Sequence, residues 1–549
     1  MTENPVQVKD DQLTDLHEVE KLRVLVGQQA EMIAALEKQN KELSKRIGEL
    51  EEELRAKKKL NKKPQLSASK LNVGKQQKQQ HGDGKRPGSA KRSKKARFVV
   101  DTEWKIEPSQ LPVGARFNGY REYDVQELSI ERNNIRFYLA EYVLPDGGVI
   151  SAQLPPQYRN TGHYGPELVG YILHEYYHNR VTQPLIREQL VEWGVEISIG
   201  QINSYLSQKI DQFHLEQASV LAAGLKCSKY VHTDDTGARH SGKNGYCTVI
   251  GNQWFTYFAS TARKTRRNFL SVLQANAPIY VLNEDARQYL ESYGLADKHM
   301  KALSFGSTVL GNSPQQWNTY LESIGIVQTK AVQWVTEAAL VGGLIESGIN
   351  RDLLILSDGA RQFNILIHGL CWVHAERIIR KLEGSTAKFR ENIEEVLSLL
   401  WEYYQQLKAY KKNPSTKQKE HLSAYFDQIF GRCYLHHPTL NNALNQFRQN
   451  KEQLLLVLDF PEIPLHNNAA ESDIREFVTR RKISGGTRSE AGRKARDTMI
   501  GLKKTCRKLG ICFWAYLLSR LRGDDNIPPL PDLIRQKAIE HGLVGNPAW

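Results

Sequence analysis

KYVHTDDTGAR, Lys229 to Arg239, reads as a β-strand that ends in acids, with Asp234 at its close. Two more runs of strand length follow, YCTVIGN (Tyr246 to Asn252) and QWFTYFAST (Gln253 to Thr261), rich in β-branched and aromatic residues. RRNFLSVLQ, Arg266 to Gln274, then reads as a helix. After a long, mainly helical stretch comes RDLLILSDGAR, Arg351 to Arg361, a buried-type strand that again ends in an acid, Asp358.

Three strands in hairpin order, a helix and a further strand match the opening of a ribonuclease-H-like domain. The expected fold class is therefore multidomain α/β, with a ribonuclease-H-like catalytic core interrupted by helical segments. A third acid, Glu471, begins a helix in LHNNAAESDIREFVTRRK, Leu465 to Lys482, just ahead of a basic run. Strand ends and helix starts of α/β sheets are where sites gather. Three carboxylates converging there suit hard cations such as Mg²⁺, which take oxygen ligands, and a cation pair suits in-line phosphoryl displacement. Acids after strands are also common turn formers and helix caps, so spacing alone leaves both readings open.

The 549 residues leave room for several domains. The net charge of +14 is concentrated: residues 55–97 hold 16 Lys/Arg against one acid, Asp83, so the excess belongs to an arm. Ahead of it, residues 19–57 carry heptads, with Val26, Ile33, Asn40, Ile47 and Leu54 at a and Leu22, Leu36, Leu43 and Leu50 at d. This predicts a coiled coil within 1–57, then a basic disordered arm at 58–97. A small mixed module follows at 98–160, with a hairpin turn at Asp146-Gly147-Gly148. Residues 161–222 read as a helix-turn-helix whose second helix starts near Ser198 and offers Gln201 and Asn203 to a DNA groove. The catalytic core is expected at 223–371 with an extra segment at about 276–350, then a helical insertion at 372–460. The core closes with basic helices at 461–525, and a tail runs over 526–549. The six cysteines form no CxxC pair and read as reduced thiols of a cytosolic protein. No apolar run is long enough to span a membrane, the N-terminus is not a secretory signal, and no GxxxxGK[ST] loop is present.

VHTDDTGAR, LSDGARQFN with CWVHAERIIRKL, and HNNAAESDIREFVTRRKISGGTRSEAGRKARDTMIGLKKTCRKLG together resemble the transposases of the insertion sequence 66 family. The resemblance implies a DDE-type enzyme with Asp234, Asp358 and Glu471 as catalytic acids and metal ligands for two Mg²⁺ ions, Mn²⁺ serving as substitute. It implies cleavage by water and transfer of the freed 3′-hydroxyl into target DNA, with terminal inverted repeats and target DNA as partners. A homodimer or higher oligomer, helper proteins encoded by the element as candidate partners, and a cytoplasmic, nucleoid-associated location go with it. On this reading Arg475 faces a phosphate, and Arg480, Arg481, Lys482 and Arg488, with Arg493, Lys494 and Arg496, track the DNA backbone. Three departures from the family pattern stand out. No cysteine precedes Cys227, Ser472 replaces the arginine expected after the glutamate, and the segment before Asp358 is long. The rival readings are a nuclease that does not join ends and a DNA-binding descendant that has lost catalysis.

Overall fold

The computed structural model describes residues 100–542, apart from 122, 124, 126, 127, 160, 161, 385 and 436, together with residues 26, 27 and 29. The chain divides into two units, Met1–Ala68 and Ser69–Trp549. The expected arm at 58–97 and nearly all of the heptad segment lie outside the described residues.

At the centre of the second unit is a five-stranded mixed sheet: β1 Tyr230–His240, β2 Lys243–Gly251, β3 Thr256–Thr261, β4 Leu354–Ser357 and β5 Ile367–Leu370. The spatial order is β3-β2-β1-β4-β5. The first three form antiparallel hairpins, while β4 runs parallel to β1 and β5 parallel to β4. β1 and β2 are joined through Ser241 and Gly242, both at positive φ (47° and 77°), which suits the right-handed twist of paired strands.

The sequence places a strand end at Asp234, and the structure corrects this. Pairing with β4 stops at His232↔Leu356, but pairing with β2 continues through Asp234↔Val249 to His240↔Lys243. Asp234 thus sits where one neighbour leaves the strand and the other stays. β5 has no counterpart in the sequence reading. It is four residues long, includes a glycine, and returns after a loop holding only the 3₁₀ turn Arg361–Phe363, with Leu366 at φ 50°. Parallel neighbours are usually joined by a longer crossover.

The helices that matter for the site are α1 Gln183–Glu192, α2 Ile199–Ser207, α3 Asp211–Lys226, α4 Trp372–Arg380, α5 Asn468–Ser484 and α6 Glu490–Leu509. Gly194, at φ 72°, turns the chain after α1, and the Ser198 hydroxyl caps α2 by accepting from the Gln201 amide at 3.1 Å. The segment before β4 carries a small two-stranded sheet, Tyr280–Val281 with Val309–Gly311, and the long helix Thr329–Glu346. From Trp372 to about residue 460 the chain is helical, with its own apolar cluster around Trp372, Tyr403, Phe426, Phe430 and Phe447. The hairpin expected at Asp146–Gly148 joins Glu141–Val143 to Val149–Ser151. Among the described residues, no helix is long and apolar enough to cross a membrane.

α5 lies across β1 and β2. Ala470, Ile474 and Phe477 recur at helical spacing and bury against Ala238, Cys247, Val249, Phe258 and Ile500. Polar ties fix its height. Asp473 is 6% exposed, accepts from the Thr256 hydroxyl at 2.9 Å and from Lys508 Nζ at 2.6 Å, and lies 3.4 Å from Lys504 Nζ. On α6, Asp497 accepts from the Ser260 amide at 2.7 Å and from its hydroxyl at 3.0 Å, which holds that helix to β3. Burial lowers the Lys508 pKa, opposed by Asp473. Removing one partner of a buried pair strands the other charge. Asp473→Ala is therefore expected to lower unfolding free energy by about 3–5 kcal/mol in urea titration. Asp473→Leu combined with Lys508→Met and Lys504→Met should recover most of that loss.

Candidate active site

The site is assembled around one amide side chain. Asn467, fully buried, immediately precedes α5. Its Nδ2 donates to the Thr233 carbonyl at 2.8 Å, and its Oδ1 lies 3.0 Å from His232 Nδ1. Its backbone amide donates to Cys371 Sγ at 3.1 Å, where Cys371 caps α4. Burial pulls the His232 pKa down to about 4, so the ring is neutral. Because Asn467 Oδ1 can only accept, Nδ1 carries the ring proton. Burial raises the Cys371 pKa to about 11, leaving it a thiol. One residue therefore ties the start of α5 to β1 and to the helix that leaves β5.

This places three acids on one side of the sheet. Side chains two apart on a strand share a face, so Asp234 follows His232; Asp358 comes just after β4, two residues past Leu356, the residue paired with His232. The two aspartates stand two residues past the last rung between the neighbouring parallel strands. Asp234 is partly buried and accepts from the Asp235 amide at 2.8 Å. Asp358 is exposed and accepts from the Ala360 amide at 3.0 Å, a local turn that fixes its carboxylate beyond β4. Beneath it the Ser357 hydroxyl meets His368 Nε2 at 2.8 Å and accepts from the Gly359 amide at 3.1 Å. Glu471 lies in the first turn of α5, where the helix dipole favours an anion.

Asp234 has its pKa pushed up to about 7. Burial is the main cause, opposed by the Asp235 amide, and the charges of Asp358, Asp235 and Glu471 push further upward. Asp235 itself is occupied: Gln362 donates to it at 2.6 Å and Lys264 Nζ lies 3.4 Å away. Burial raises its pKa too, against the pull of Lys264.

Glu471 does not pair with Arg475, one turn along its own helix. Its partner comes from α4: Arg377 Nη1 lies 3.5 Å from Glu471 Oε1 and 3.1 Å from His374 Nε2. His374 Nε2 is 3.6 Å from the same carboxylate oxygen. Burial and Arg377 lower the His374 pKa, so the ring is neutral and the ion pair belongs to Arg377 alone. Neither the contact of Arg377 nor the clamp by Asn467 is signalled by the sequence pattern.

The donor chemistry fits a divalent cation: hard carboxylate oxygens, with partly buried Asp234 facing other acids and no ion pair to it among the described residues. Yet no three His, Cys, Asp or Glu groups among the described residues converge closely enough to hold one. Asp234 and Asp358 stand as neighbours, and Glu471 is drawn to Arg377.

The basic residues sort by exposure. Arg475, Lys482 and Arg488 are exposed, and Arg481 is half-buried with its guanidinium bonded to the Gly237 carbonyl. Arg480, expected on the DNA face, is a correction. It is 3% exposed, lies over the Tyr176 ring at 3.7 Å and donates to the Tyr176 carbonyl at 2.6 Å. Arg496 is likewise buried, over the Phe477 ring at 4.2 Å. On α2, Asn203 is exposed and accepts from Gln183 of α1 at 3.3 Å, while the Gln201 side chain is partly exposed.

Residues 354–495 match the family described as transposase IS66 family. That span includes Asp358 and Glu471, while Asp234 lies ahead of it. The chain is also 41% identical over 331 residues to the uncharacterized protein y4jO of Sinorhizobium fredii (strain NBRC 101917 / NGR234), which covers 58% of this chain and 100% of that protein.

The raised Asp234 pKa has a sign that can be checked. Unfolded, the carboxyl ionises near 4; folded, near 7. Below about pH 4 both states are protonated and nothing is lost. As pH rises from about 4 to 7 the unfolded state alone ionises, so stability falls, and above 7 the loss is complete. Asp234→Asn, without added cation, is thus expected to raise Tm above pH 7 and leave it nearly unchanged at pH 4, by differential scanning fluorimetry.

Proposed function

We infer, because the chain belongs to the transposase IS66 family, that it processes DNA, and we propose that it is a DDE transposase acting through Asp234, Asp358 and Glu471. The observation that carries this is the placement of Asp234 on β1 beside the end of β4, where Asp358 follows, with the Glu471 helix tied to β1 by Asn467. The strand order β3-β2-β1-β4-β5, with β2 antiparallel to its neighbours, supports a ribonuclease-H-like core.

In this proposal Asp234, Asp358 and Glu471 would hold Mg²⁺, two ions with Mn²⁺ as substitute, which would supply charge stabilisation for the attacking and leaving oxygens. The chain's own groups do the rest. Asp234 serves as its carboxylate, so the raised pKa makes the cation-free site weakest below neutral pH. Asp358 is held still by its turn. Water forms a bond to phosphorus as the bond to O3′ breaks, and the freed 3′-hydroxyl then bonds to the phosphorus of a target phosphodiester as that phosphorus loses its own 3′-oxygen, which leaves as a target 3′-hydroxyl. Arg475, Lys482 and Arg488, exposed along α5 and beyond it, neutralise backbone phosphates. α1 and α2 form the proposed helix-turn-helix, with Gln201 and Asn203 toward the bases of the terminal repeats. The heptad segment pairs two copies.

The test is strand cleavage and joining on a duplex bearing the element's own end, comparing wild type with Glu471→Gln. Joined product that vanishes in the variant while end binding persists is the expected result. Cleavage without joining would indicate a nuclease. End binding with no cleavage in either protein, with Mn²⁺ and helper proteins supplied, would indicate a DNA-binding descendant. A second comparison separates the two kinds of arginine and lysine on α5. Arg480→Ala should cost about 1.5–3 kcal/mol of stability, the loss of a charged hydrogen bond to a buried carbonyl. Lys482→Ala should leave stability unchanged, weaken DNA binding, and reduce the salt slope of log K by about one.

A further inference from the structure

We propose that Arg377 is a latch on the third carboxylate: it holds Glu471 away from Asp234 and Asp358 until a DNA phosphate takes the guanidinium, which then contacts that phosphate during the reaction. This rests on the function proposed above, since it takes the three acids to be the cation site.

The case comes from what each group is bonded to. Asp234 and Asp358 are aligned by strand register and carry no ion pair among the described residues. Glu471 alone is engaged, by Arg377 Nη1 at 3.5 Å, and no three acids among the described residues converge. His374 lies beside the same carboxylate oxygen, its Nε2 3.6 Å away. It accepts from Arg377 at 3.1 Å and so steers the guanidinium toward the carboxylate.

A carboxylate oxygen bonded to a guanidinium is not free for a second cation, and two cations at one oxygen repel. Arginine does not deprotonate at any relevant pH, so it must swing away. It is placed to do so: its side chain is 34% exposed and stands in the last turn of the short helix α4, which leaves β5 beside the Asp358 strand. A phosphate is the natural competitor, because its oxygens match the guanidinium fork. DNA binding and closure of the acidic triad thereby become one event, and an unliganded chain is spared a fully formed cutting centre.

The test titrates Mn²⁺ into the full-length protein, followed by electron paramagnetic resonance, without DNA. Arg377→Ala and Arg377→Gln should bind Mn²⁺ about fivefold more tightly than wild type, the worth of a half-exposed ion pair. The gain should vanish when Glu471→Gln is added. Adding the element-end duplex should tighten wild type and leave the two variants nearly unchanged. At saturating Mn²⁺ the variants should cleave about tenfold more slowly, for want of the charge-assisted phosphate contact. Equal Mn²⁺ affinity of wild type and both variants without DNA overturns the latch. If Asp234→Asn with Asp358→Asn leaves Mn²⁺ binding intact, the acids are not the cation site, and the functional reading fails along with the latch.

Discussion

The hydrogen bonds of Asn467 are what the site depends on. A helix can present a glutamate beside a sheet only if its first turn is fixed in height and rotation. Apolar packing by Ala470, Ile474 and Phe477 sets which face of α5 looks down, but such contacts are non-directional. Asn467 adds direction. Its amide reaches a carbonyl on β1, its oxygen meets the ring of His232, and its backbone meets the thiol at the head of α4. A buried polar group left unpaired is costly, so all three partners must be in place together. That is how residues more than two hundred positions apart in sequence become neighbours.

The electrostatics divide the molecule into two regimes. Away from the site, several buried acids are compensated: Asp473 by Lys508 and Lys504, Glu476 by Arg180 and Lys503, Glu216 by Arg520. At the site, Asp234 has no ion pair among the described residues. Asp234 is half-buried against other carboxylates, and its pKa rises. Stability is given up locally, the expected signature of a place reserved for an outside charge. The pairs of Asp473 and Glu476 with Lys508, Lys504 and Lys503 join α5 to α6, and hydrogen bonds from Thr256 and Ser260 tie the two helices to β3.

Much of this is legible in the residues. Strand length, β-branched content and closing acids mark β1 to β4, and the start of α2 is visible in Ser198. β5 is hidden because four residues with a glycine carry little periodicity. The inward turn of Arg480 can be read from phase. Ala470, Asp473, Ile474 and Phe477 set a buried stripe at three- and four-residue steps, and position 480 continues it. The charge of the run RRK obscures that phase. Arg377 carries no such mark. Nothing local says that a residue on α4 meets a residue on α5, because β-sheet register and the Asn467 tie bring them together. The buried role of Asn467 is likewise a tertiary fact, though its place four residues before the glutamate is in plain view.

The central claim is that Asp234, Asp358 and Glu471 form one cation site when DNA is bound. Its most direct test replaces Mg²⁺ with Fe²⁺ in the complex with an element-end duplex and maps where ascorbate-driven hydroxyl radicals cut the polypeptide. The account predicts cuts clustered near residues 234, 358 and 471 and competed away by Mg²⁺. Cuts confined to other segments, or none near 471 with DNA bound, would contradict it.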